Sequence, residues 1–238
     1  IRLAGQSDIV VENFVPGTME RLGLGFETLQ GKNPKLIYAS CSGFGQTGPY
    51  ARRTAFDMLI QGMAGTVSIT GEPEQPPVRV GFSIGDIGAS LFLTIGILAA
   101  VREREQTGQG QLVEVGMLDC QMALLENAFA RYFCTGKVPK PEGGRHPVAA
   151  PLGIVPTADG YMILAIGNDS QWETFCREVG HPEWAEDKRF ETNPQRVANR
   201  EALETLLFEL TRSRTTAEWV EAMEPIRIPC GPVNRIDQ

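Results

Sequence analysis

The chain is 238 residues long, 42% hydrophobic and 21% charged, enough for one large domain or two smaller ones with substantial cores. Its net charge of −7 supplies no basic field for nucleic acid or anionic lipid, so an anionic ligand needs a local cation. Five cysteines without a C-x-x-C pair and only two histidines, His146 and His181, argue against a disulfide frame or a metal centre and for reduced cytoplasmic thiols.

The opening residues, IRLAGQSDIVVENF, read as a helix end running straight into a strand, without a charged-then-apolar leader. A domain rarely begins that way, so the chain is expected to be a piece of a longer protein. DIVVEN at 8–13 and KLIYASCSG at 35–43 are β-rich runs, and the Gly- and Pro-punctuated turns PGTMERLGL and GFETLQGKNP lie between them. Strand, helix, strand in this rhythm predicts a βαβ unit with a parallel sheet. A helix at 56–65, a Pro-rich loop at 71–81 and a long helix over about 87–105 follow, then an alternating strand at 111–117 and a helix at 118–135.

At 136–153 the composition shifts to GKVPKPEGGRHPVAAPLG, which reads as a linker between a domain at 1–135 and another at 154–238. IVPTADGYMILAIG beyond it predicts a hairpin turning at Asp159 and Gly160. Helices are expected near 170–179, 194–212 and 215–224, the last capped by Thr215 or Thr216, and IPCGPVNRI closes the chain as strand and turn.

Within VGFSIGDIGASLFLTIGILAAV, Asp86 is the one charge between Arg79 and Arg102. The 15 uncharged residues at 87–101 fall short of the roughly 20 that span a bilayer, which predicts a buried helix and no membrane partner. Asp86 suits an N-cap bonded to the N–H of Gly88 or Ala89. It equally suits a nucleophile: Gly85, Gly88, Ala89 and Ser90 leave room for a bulky ligand, and a partly desolvated carboxylate attacks better than a hydrated one. The two readings are compatible.

GFGQTGPY at 43–50 carries the spacing of a dinucleotide fingerprint, but Pro49 interrupts the helix that would hold a pyrophosphate, so a turn open to close approach is the better reading. AIGNDSQW at 165–172 reads either as a βα turn capped by Asn168 or Asp169, or as an oxyanion-binding lid. His146 reads as a bystander and RERE at 102–105 as a solvated helix end.

Six segments in order, DIVVENFVPGTMERLGL, NPKLIYASCSGFGQTGPY, FDMLIQGMAG, GDIGASLFLTIGILAAVREREQTGQGQLVEVGMLD, TADGYMILAIGND and CGPVNRI, together resemble the family III coenzyme A transferases, which include formyl-CoA and carnitine CoA-transferases. The resemblance implies an α/β fold: a Rossmann-like CoA-binding domain and a smaller α/β domain, in interlocked homodimers. It implies acyl-CoA and small carboxylic acids as substrates, with no permanently bound cofactor. Asp86 takes the place of the aspartate that forms an acyl anhydride and then a CoA thioester. Asn13, Phe14, Arg21, Phe56 and Asp57 match positions that bind the CoA moiety, Asp57 as an acidic group orienting the substrate, and Gly167 and Asn168 match a glycine-containing loop covering the aspartate.

Acyl-CoA racemases share the fold but carry a histidine where this chain has Phe56, and a glutamate in the lid that GNDSQ lacks. Without that histidine no base is poised near neutral pH, so transfer is the expected chemistry and racemisation the alternative. A third alternative is an inactive fragment, because relatives carry further segments at both ends. RFETNPQRVANREAL is similar to members handling dicarboxylates, and is expected on a helix away from the chemistry.

Overall fold

The computed structural model describes residues 1–238 and divides them into two units, Ile1–Pro141 and Glu142–Gln238. In the first unit β1 (Ile9–Glu12), β2 (Ile37–Ser42) and β3 (Leu112–Gly116) form a three-stranded sheet in that order. Both pairings are parallel, with Ile9 opposite Ile37 and Tyr38 opposite Leu112. Parallel neighbours need long crossovers. The short helices α1 (Thr18–Arg21) and α2 (Phe26–Gln30) supply the first, and α3 (Asp57–Ala64) and α4 (Ile84–Thr107) the second. The central strand β2 is covered on both faces, with Ile37, Tyr38, Ala39 and Ser40 all buried.

Helix α4 packs on β2, β3, α3 and α5 (Met117–Ala123), and α6 (Glu126–Thr135) follows after a break at Leu124 and Leu125. The buried stripe of α4 is Gly85, Gly88, Ala89, Leu93 and Ala100. Its glycines allow close packing: a Cβ on Gly88 would lie 2.8 Å from Leu124 Cδ1, and one on Gly96 2.7 Å from Val113 Cγ1. Helix-to-helix contact therefore accounts for Gly88, which the sequence pattern alone assigned to clearing space for a ligand. The opposite face of α4, with Leu91, Ile95 and Leu98, is exposed.

Two expectations about this helix need correction. It begins at Ile84 rather than near residue 87, so Asp86 stands inside its first turn and is not the N-cap; Ser83 holds that place without a side-chain capping bond. At 24 residues it is also long and apolar enough to cross a membrane, so the exclusion by length fails.

The second unit is built on an antiparallel sheet, β4 (Leu152–Pro156), β5 (Tyr161–Ala165) and β6 (Cys230–Pro232). Pro156 faces Tyr161 across the predicted hairpin, and Asp159 accepts the Thr216 N–H at 2.8 Å, tying that turn to helix α11 (Thr216–Met223). Trp172, Phe175, Phe190, Leu203, Leu207, Trp219 and Met223 form the core against Met162, Leu164 and Ile166. They come from α7 (Asp169–Glu178), the segment before α9 (Asn193–Ala198), α10 (Arg200–Thr211) and α11, while Trp184 and Ala185 of α8 (Glu183–Glu186) pack, partly buried, against them. The 136–153 segment is not a linker throughout: Ala150 is buried in this core, and Arg145 pairs with Gly153.

Candidate active site

The carboxyl ends of β1 and β2 open into a cleft of about 660 Å³, where an open parallel sheet places its ligands. Asn13 and Phe14 follow β1, Cys41 and Ser42 end β2, and Arg53, Phe56, Asp86, Ala89 and Ser90 complete the wall. The structure thus brings Asn13, Phe14, Phe56 and Asp86 to one cavity. Arg21 is not on that wall; it is exposed and its guanidinium donates to Thr18 Oγ1 at 2.9 Å.

Asp86 projects from the first turn of α4 toward the cleft, and its carboxylate accepts no hydrogen bond from the protein. Asp86 is exposed, yet desolvation by the protein around it, and secondly the charge of Asp57, hold its pKa above the ordinary aspartate value. A carboxylate starved of donors and made more basic is a stronger nucleophile. The helix N-terminus opposes that shift by favouring the charged form. Cys41 shares the cleft, but burial, then Glu12 and Asp86, push its thiol pKa up, so the protonated thiol does not compete.

Asp57 is not on the cleft wall. One carboxylate oxygen accepts the Gly85 N–H at 2.8 Å and the other accepts Gln61 Nε2 at 2.8 Å. It thereby supplies, from another helix, the capping bond that Ser83 does not make. A Cβ on Gly85 would lie 3.1 Å from Asp57 Oδ1, so the glycine admits this carboxylate.

Three groups at the site escaped sequence reasoning. Glu12, buried at the end of β1, accepts the Phe14 N–H at 2.8 Å and a short bond from Ser40 Oγ, which fixes the turn bearing Asn13 and Phe14. A charge ending an apolar parallel strand was the available signal. Arg53 is the one cationic side chain on the cleft wall, and its guanidinium lies 3.9 Å from the centre of the Tyr50 ring. Tyr50 meets Phe44 edge-on at 5.6 Å, so the 43–50 loop, turned by Gly45 (φ 79°) and Gly48 (φ 93°), is an aromatic support for Arg53. Gln61, the third, is fully buried with no sequence signal of its role.

In the second unit Asn168 caps α7, its Oδ1 accepting the Gln171 N–H at 2.9 Å, and the Gly167 N–H donates to Gln171 Oε1 at 2.8 Å. Asp169 is not the cap; it accepts from Arg196 Nη2 at 2.6 Å and from the Asn193 N–H at 2.9 Å.

Comparison with known proteins gives this arrangement a family. The profile of CoA-transferase family III matches residues 1–238. The chain is 39% identical over 237 residues to the succinate–glutarate CoA-transferase of Agrobacterium fabrum, covering 100% of this chain and 59% of that protein. It is 39% identical over 234 residues to the acetyl-CoA:oxalate CoA-transferase of Acetobacter aceti, covering 98% of this chain and 60% of that protein. A crystal structure of a CaiB/BaiF family protein from Brucella suis superposes with a TM-score of 0.87 at 41% identity, over 99% of this chain and 62% of that one. The chain thus spans about three fifths of the length of these relatives. It belongs to CoA-transferase family III.

Proposed function

We propose that the protein transfers coenzyme A from an acyl-CoA donor to a carboxylic acid acceptor, with Asp86 as the covalent nucleophile. The observation that carries this reading is the Asp86 carboxylate, free of hydrogen-bond donors at a helix N-terminus in the cleft. Asp86 attacks the thioester carbonyl, the carbon–sulfur bond breaks, and CoA leaves as a thiolate from a mixed anhydride. The thiolate then attacks the Asp86 carbonyl, releasing the donor acid and leaving an aspartyl-CoA thioester. The acceptor carboxylate attacks that thioester to give a new anhydride and thiolate, which recombine as acceptor acyl-CoA and restore Asp86. Charge and thioester energy are conserved, and one hard exchange becomes several easier ones.

Arg53 is the group suited to a CoA phosphate, and Asn13 and Phe14 to the rest of the cofactor moiety. Gly167 and Asn168 are kept as oxyanion donors on the family resemblance; within their own unit the Gly167 N–H donates to Gln171 Oε1 at 2.8 Å. The names of the relatives, succinate–glutarate and oxalate CoA-transferases, support small dicarboxylates as substrates. The exposed stripe of Leu91, Ile95 and Leu98 supports a homodimer, and five free thiols support a reducing cytoplasm.

The test is CoA exchange between succinyl-CoA and a second dicarboxylate, alongside deuterium wash-in at the α-carbon of a 2-methylacyl-CoA. Exchange that Asp86→Ala abolishes, without wash-in, is expected. Rapid wash-in would make the protein a racemase despite Phe56.

A further inference from the structure

Gln61 has every polar atom of its side chain engaged and is fully buried. Its Nε2 donates to Asp57 Oδ2 at 2.8 Å and to the Phe82 carbonyl at 3.3 Å, and its Oε1 accepts the Val80 N–H at 2.9 Å. Asp57 Oδ1 in turn accepts the Gly85 N–H at 2.8 Å. One carboxamide therefore grips both the segment entering α4 and the carboxylate that caps α4, one residue before Asp86. Only amides and a carboxylate in fixed orientation satisfy all these bonds at once.

We propose that Gln61 is a positioning residue for Asp86, locking Asp57 and the 80–82 segment so that the first turn of α4 presents its carboxylate to the cleft. This rests on Asp86 being the nucleophile. Gln61 touches no reacting atom; it acts through Asp57 and Gly85.

The test is Gln61→Glu, with Gln61→Met beside it. The introduced carboxyl group keeps an acceptor for the Val80 N–H but sets an oxygen against Asp57, so the pair is held together only when the two carboxyl groups share a proton. The other titratable or charged groups on elements packed here are Asp86 on α4, Asp119 and Cys120 on α5, and Arg79, which donates to the Val80 carbonyl at 2.9 Å. At alkaline pH, kcat and kcat/KM of Gln61→Glu fall together by about 10²-fold, the scale of a misplaced catalytic group. Acidification restores about tenfold of the loss as the shared proton returns. Gln61→Met, which cannot donate at any pH, loses a similar factor without the acid recovery.

Amide exchange supplies a readout independent of turnover: the protection of Gly85 falls in both variants, and recovers on acidification only in Gln61→Glu. A variant with wild-type kcat and Gly85 protection at every pH overturns the proposal, as does a loss confined to KM. If wild-type protein forms no adduct at Asp86, the transfer mechanism fails instead, and Gly85 protection still reports whether Gln61 holds the helix start.

Discussion

At the first turn of α4 the charged form of Asp86 is favoured by the positive end of the helix and disfavoured by partial desolvation and by the charge of Asp57, and the latter two prevail. A carboxyl whose native pKa exceeds its unfolded one makes the native state bind more protons. Its contribution to stability therefore falls as pH rises from the ordinary carboxylate value through the native one. Asp86→Asn removes that decline, so its Tm gain over wild type grows with pH across that window. The gain is small, because the group is open to solvent. Thermal melts over a pH series check it, and a variant less stable than wild type at neutral pH contradicts it. Arg53→Ala raises KM for acyl-CoA by about 10-fold or more, the value of a charge-assisted bond to phosphate, with kcat little changed. Steady-state kinetics decide this, and Arg21→Ala is the comparison. The place of Asp86 on the cleft wall was legible because a lone charge in an apolar, glycine-rich run stands out at a helix start. Arg53 and Gln61 were not, because an aromatic loop and a loop-to-helix clamp give them their places.

The start of α4 was misjudged by one turn for a definable reason. Asp is a preferred cap, so the sequence pattern favours a start after residue 86, whereas the actual capping carboxylate is Asp57, 28 positions before Gly85. Expected helices at 118–135 and 194–212 each divide in the structure, at Leu124 and Leu125 and at Asn199, places without proline or glycine to mark a break. The parallel sheet was legible because short β-rich runs alternate with helical turns in a βαβ rhythm. Close backbone approach was not: the Gly110 N–H donates to the Pro34 carbonyl at 2.7 Å, and a Cβ there would overlap the Leu36 carbonyl oxygen. Gly110→Ala is expected to cost about 3 kcal/mol, the upper range for overpacking. Gly62→Ala on α3 is exposed with open space around it, so it gains up to about 1 kcal/mol from helix propensity. Urea titrations of the two variants must show opposite signs.

Over the whole molecule the strand–helix–strand rhythm pointed to the α/β class and composition to a change of character after residue 135, while the division falls between Pro141 and Glu142. Residues 142–153 look like a linker because Pro and Gly are frequent in them, but Arg196 and Arg200 recruit them into the second unit. Arg196, wholly buried, donates to the Ala150 carbonyl at 2.6 Å, the Phe190 carbonyl at 2.9 Å and Asp169 at 2.6 Å. Arg200 reaches the His146 carbonyl at 2.7 Å. The RFETNPQRVANREAL segment thus has a structural role in this chain. Arg196→Ala leaves the Ala150, Phe190 and Glu191 carbonyls without this donor, while half-exposed Asp169 keeps the Asn193 N–H; it is expected to cost about 3 kcal/mol, and Arg196→Lys does not restore it, since one ammonium cannot span these acceptors. Trp172, Trp184 and Trp219 all lie in the second unit, so tryptophan fluorescence during denaturation reads this loss directly.

The central claim is a covalent bond at Asp86. Protein mixed with succinyl-CoA, quenched with hydroxylamine and digested is predicted to carry a hydroxamate at Asp86 by peptide mass spectrometry, absent without acyl-CoA. A hydroxamate at any other residue, or none while CoA exchange proceeds, would contradict it.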